Sequence, residues 1–185
     1  MNTFINKVKE VSLHSDSLAL KCLHVVLGSF FIALMSQIEI PIQPIPFTLQ
    51  TFALFLMALA LGSQKAFYAT CLYLVEATIG FPVLAGGLSC PLWFLMPFAG
   101  YCFSFPIAAY IIGKASSGVL SNLKLLGYMA IGQGIIYAMG AAWLSVFVGL
   151  EGAFQWGVYP FVSFDLLKIA GAFTAYMAYF KLCKE

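Results

Sequence analysis

LQTFALFLMALALGSQKAFYATCLYLVEATIG, residues 49–80, contains two apolar stretches separated by a short polar break. Gly62-Ser63-Gln64-Lys65 reads as a tight turn, because glycine and small polar residues are the strongest local punctuation in an apolar run. The segment therefore predicts an antiparallel helical hairpin, 49–63 followed by 65–80. A helix needs about 20 apolar residues to cross roughly 30 Å of hydrocarbon, so both arms are short for membrane spans.

Four further apolar segments flank the hairpin, at 20–38, 93–113, 124–148 and 164–182. Pro41, Pro44 and Pro46 forbid a continuous helix between the first span and the hairpin. Gly80, Pro82, Gly86 and Gly87 interrupt the chain before the fourth span, and Gly149, Gly152, Gly157 and Pro160 do so before the sixth. Of the 185 residues 62% are hydrophobic and 9% charged, too few charges for a water-facing surface when a soluble domain carries about a quarter. The expected fold is an all-α integral membrane bundle of six transmembrane helices. It forms one domain over 1–185, with 1–19 as an amino-terminal segment.

Lysine placement orients this bundle. All nine basic residues are lysine. With six alternating spans, Lys7, Lys9, Lys21, Lys65, Lys114, Lys124, Lys181 and Lys184 fall on one side, and the positive-inside rule makes that side the cytoplasm, with both termini. The opposite loops carry Glu39 and Glu151 and no lysine.

Several function classes lose support at this stage. So few cations, none clustered, do not fit nucleic-acid binding. Cys22, Cys71, Cys90, Cys102 and Cys183 are odd in number and lack metal-ligand spacing, so they read as small buried hydrophobes. His14 and His24 read as solvent or interface residues. The first twenty residues mix Lys7, Lys9, Glu10 and Asp16 and do not resemble a cleaved signal peptide. No zinc helix, nucleophile elbow or Walker loop occurs, so neither an enzyme nor a self-contained ATPase is expected, and no metal or cofactor.

Polar residues at membrane depth mark candidate function. Thr48 and Gln50 open the second span, Glu76 lies one turn from the outer end of the third, and Asp165 and Lys168 open the sixth. All belong to the outer half. Asp165 and Lys168, three residues apart, share a helix face. They fit either a structural ion pair or a ligand site, and Glu76 fits either a bridge to Lys168 or a ligand carboxylate. Trp93, Tyr101, Trp143, Trp156 and Tyr159 read as interfacial belt or as pocket lining.

These residues carry a family resemblance over about 25–175. Ile40-Pro-Ile-Gln-Pro-Ile-Pro-Phe-Thr-Leu-Gln-Thr-Phe52 resembles the Pro-x-Pro-x-Thr-Leu-Gln-Thr signature of BioY, the biotin-specific substrate-binding (S) component of energy-coupling factor (ECF) transporters. Leu72-Tyr73, Gly80-Phe-Pro-Val83, Ala85-Gly-Gly87, Gly100-Tyr101, Phe105-Pro-Ile-Ala-Ala-Tyr110, Pro160-Phe161 and Asp165-Leu-Leu-Lys168 follow in the family's order.

The resemblance implies biotin binding near the extracellular face and uptake energised by a separate coupling subunit and ATP-binding cassette ATPases. It implies a ligand site at Asp165 and Lys168, supported by Glu76, Gln50, Thr48, Gly86, Gly87, Tyr101, Trp93 and Tyr73. It also implies docking of span one on the coupling subunit through small residues, here Ser29 and Ala33. Met96-Pro-Phe-Ala-Gly-Tyr101 departs from the family's Gly-Pro-Thr-Gly-Gly-Tyr, which leaves open a different vitamin-like solute. A self-sufficient facilitator is the remaining alternative.

Overall fold

A computed structural model describes residues 18–117 and 121–182. The amino-terminal segment to residue 17, with Lys7, Lys9 and His14, lies outside the described residues, as do Cys183 and Lys184.

The described residues form six α-helices: α1 (Leu18–Ser36), α2 (Gln50–Leu61), α3 (Ser63–Thr78), α4 (Ala99–Gly113), α5 (Asn122–Gly157) and α6 (Tyr159–Leu182). Helices α1, α5 and α6 are long and apolar enough to cross a membrane. The 12 residues of α2 and the 15 of α4 are mostly buried among the others. Large apolar side chains such as Leu27, Phe30, Val146 and Leu167 face outward. A chain so apolar on its outside belongs in lipid, as a multi-pass membrane protein.

The hairpin expected from 49–80 forms, with Gly62 (φ +79°) as the whole connection and Ser63 already helical. Two boundaries differ from the sequence expectation, those of the fourth and sixth helices. The fourth helix begins at Ala99, because Pro97 and a separate 3-10 turn over Trp93–Leu95 precede it. The fifth helix is broken at Gly149 (φ +74°), where the sequence places its end and where glycine avoids the penalty of a left-handed backbone, and a further helical segment then runs to Gly157. The sixth starts at Tyr159, with Pro160 in its first turn, where a missing amide donor costs nothing.

The proline-rich link after α1 folds into an antiparallel ribbon, β1 (Glu39–Ile40) with β2 (Phe47–Thr48), pairing Glu39 with Thr48 and Ile40 with Phe47. Its buried Ile45 and Phe47 pack on Leu144, Ala153 and Phe161, and Phe47 stacks on Phe161 with ring centroids 4.1 Å apart. The main core lies between α1, α2, α3 and α4, around Ile32, Leu54, Phe55, Tyr73 and Ile112. Helix α4 packs extensively on α5, and α2 packs on α6.

Candidate ligand-binding site

A cavity of about 650 Å³ opens between the ribbon, the 84–89 loop, the amino-terminal parts of α2, α4 and α6, and the middle of α5. This is within the 300–1,000 Å³ range usual for small-molecule sites. Its floor is polar, its walls are apolar and aromatic (Phe98, Phe105, Ile136, Phe161), and Glu39 stands at its rim.

The floor is built on Asp165, which is 3% exposed. Its Oδ1 receives the Lys168 ammonium at 2.9 Å, and its Oδ2 receives the Tyr137 hydroxyl at 2.6 Å and the Gln133 amide at 2.9 Å. Lys168 also donates to the Thr51 hydroxyl at 3.1 Å. The Thr51 hydroxyl in turn donates to Asp165 Oδ1 at 3.5 Å, and a buried carboxylate held by an ammonium and neutral donors is compensated in charge, which is the condition for keeping ions in a low-dielectric site. The side-chain carbonyl of Gln133 has no partner among the described residues, and its amide orientation is fixed because the opposite flip would set oxygen against oxygen at Asp165.

One side wall is a hydrogen-bond chain. Thr48 donates to the Gln50 carbonyl at 3.0 Å, Gln50 donates to the Tyr73 hydroxyl at 2.6 Å, and Tyr73 donates to the Val83 carbonyl at 3.0 Å. Thus the ribbon, α2, α3 and the 83–89 loop are tied together beside the cavity. Across it, Tyr101 donates to the Gly157 carbonyl at 2.7 Å and fits because Gly140 and Gly157 have no Cβ to meet its ring or hydroxyl. Trp143 fixes the Met96 carbonyl at 2.9 Å, holding the Met96–Phe98 wall.

Of the residues expected at the site, Asp165, Lys168, Gln50, Thr48, Gly86, Gly87 and Tyr101 line the cavity. Tyr73 does not; it stands behind Gln50 and orients it. Glu76 does not either. It points to α1, where it accepts a hydrogen bond from Ser29 at 2.6 Å rather than meeting Lys168, whose ammonium is taken by Asp165. Trp93 is buried outside the cavity, donating to Thr78 at 3.0 Å and packing on Phe103. Ser29 is fully buried against α3 and Ala33 is half-buried, so both pack within this chain's own bundle. The outward side of α1 is Leu23, Val26, Leu27, Phe30 and Leu34.

Sequence reasoning missed Thr51, Gln133, Tyr137 and Glu39. Gln133 and Tyr137 stand four residues apart in a mostly apolar span, the spacing that places two polar groups on one helix face, and that signal was available.

The family model described as BioY matches residues 7–185. The chain belongs to the BioY family. Two relatives illustrate the likeness. A probable biotin transporter BioY of Pyrococcus horikoshii is 37% identical over 156 residues, covering 83% of this chain and 93% of that protein. A biotin transporter BioY of Thermotoga maritima is 37% identical over 136 residues, covering 73% and 80%. In fold, the chain resembles the S-component for biotin from an ECF-type ABC transporter, solved at 2.1 Å, with a TM-score of 0.76 and 21% identity over 92% of this chain and 94% of that one. This BioY chain therefore has the S-component fold.

Proposed function

We propose that the protein binds biotin in the Asp165–Lys168 cavity and serves as the substrate-specific component of an ECF-type transporter in the cytoplasmic membrane. It has no catalytic role. A coupling subunit and ATPases on other chains would drive release of biotin to the inside. All six helices would span, with both termini in the cytoplasm and the cavity facing outward. Supporting that orientation, Lys65 and Lys114 sit at the bundle end where Gly62 meets the 114–117 turn, opposite the cavity.

The compensated ion pair at the floor carries the reading. Biotin's ureido ring offers two N–H donors and a carbonyl, and Asp165 and Lys168 together offer a carboxylate acceptor and an ammonium donor on one helix face. A valerate carboxylate placed there instead would set two buried carboxylates against one ammonium. The ureido ring therefore goes to the floor, the apolar bicycle lies against Phe98, Phe105 and Phe161, and the tail points to the mouth. Titration of detergent-solubilised protein with biotin tests this: saturable binding is expected, and its absence would overturn the assignment.

Met96 and Phe98 line the cavity, so the departure from the family's glycine-rich motif falls on the pocket wall. That favours, as a second reading, a related vitamin-like solute. Another vitamin competing at lower concentration than biotin would establish it.

A further inference from the structure

Three residues lining the cavity carry charge: Asp165 and Lys168, which neutralise each other, and Glu39 at the mouth. Among the described residues nothing donates a hydrogen bond or ion pair to the Glu39 carboxylate, and no cationic side chain lines the mouth. The carboxylate is also held in place. It seats against Gly86 of the opposite loop, whose left-handed backbone (φ +61°) and missing Cβ leave the room; a methyl group there would overlap Glu39 Oε1. On its own strand Glu39 is fixed by pairing with Thr48. The cavity thus presents two carboxylates against one ammonium, an unfavourable arrangement for an anion.

Glu39 and Thr48 are paired across the ribbon, Thr48 ends β2 three residues before Thr51 in the first turn of α2, and the Thr51 hydroxyl receives Lys168. Floor and mouth thus belong to one continuous wall of the same cavity. With the head on Asp165, a tail directed to the mouth runs toward Glu39.

We propose that Glu39 is a specificity-determining residue that selects the ligand's tail, disfavouring a free carboxylate and favouring a carboxyl group bonded to nitrogen as an amide. The proposal rests on the biotin reading above. A carboxylate beside Glu39 meets like charge in a partly desolvated mouth, whereas an amide N–H donates to it. The ligand class that gains is biotin amides, including biotin joined to an amino group of an amino acid.

Competing titrations of biotin and biotinamide against the wild-type protein and Glu39→Gln test this. Glutamine keeps the size and the backbone pairing of β1 and removes the charge. Expected is a shift of about tenfold in the ratio of the two dissociation constants toward biotin in the variant, with most of the change in biotin. A ratio unchanged within twofold overturns the role of Glu39 while leaving biotin binding standing. Failure of the wild-type protein to bind either compound overturns both. Should Glu39→Gln bind neither, the wild-type protein decides: raising salt screens the mouth, so biotin affinity should rise relative to biotinamide, and parallel or absent changes refute the proposal.

Discussion

Replacing both members of the floor pair separates a structural ion pair from a ligand site. Lys168→Met leaves the Asp165 carboxylate with only neutral donors, Tyr137, Gln133 and Thr51, and Asp165→Asn leaves the Lys168 ammonium with only neutral acceptors and no counter-charge. Both side chains are about nine-tenths buried or more, so each single variant strands a desolvated group. Breaking such a pair from one side costs about 3–5 kcal/mol. The double variant Asp165→Asn/Lys168→Met has no charge left to strand and should recover most of that loss. Ligand binding should not recover. A charge-assisted hydrogen bond to the ureido ring is worth roughly 1.5–3 kcal/mol, which is about 10–150-fold in Kd, and the double variant has lost it on both sides. Thermal unfolding in detergent together with biotin titration of all four proteins measures this. A double variant that binds biotin as tightly as the wild-type protein would show that the pair only holds α6 in place. Single variants that melt like the wild-type protein would refute the reasoning about buried charge.

Tyr137→Phe removes one donor to Asp165 without a change of shape and should weaken biotin binding about tenfold, with the ion pair still formed; an unchanged Kd in the same titration would exclude Tyr137 from the site. Gly86→Ala should lower affinity in a folded protein, because the new methyl group overlaps the Glu39 carboxylate and the residue sits at φ +61°, and wild-type affinity would contradict that geometry. Ser29→Leu should destabilise the helical bundle itself, since the position is fully buried against α3 at Glu76; a variant with wild-type melting and selective loss of uptake would return Ser29 to a docking role. Uptake of labelled biotin in a host without any coupling-factor subunits should be absent, and uptake there would establish a self-sufficient facilitator.

The membrane class and the hairpin were legible because apolar run length and turn chemistry are local properties. Gly62 needed no partner to be read as a break, and Asp165 and Lys168 needed only helical periodicity to be placed on one face. Errors came where tertiary packing decided. Glu76 is as ionisable as Asp165 and lies at a comparable depth, yet it turns toward α1 because Ser29 lies across from it. Trp93 is as aromatic as Tyr101, yet Thr78 takes its indole N–H away from the cavity. Ser29 and Ala33 carry the small-residue spacing of a helix contact and do make one, but with this chain's own α3. The spacing reports close approach without saying which helix approaches.

The same reasoning explains why Glu39 escaped notice. On a sequence it is one acid in an outer loop, counted only as a residue on the side opposite the lysines. Its significance depends on Gly86, forty-seven positions away, and on Lys168 already being neutralised by Asp165. A polar residue in an apolar chain is readable as costly wherever it stands, because the membrane interior penalises it. Which of those costs a ligand offsets is a property of the whole charge balance around a cavity. In this chain the floor balances itself, and the uncompensated charge at the rim is the feature that distinguishes one tail from another.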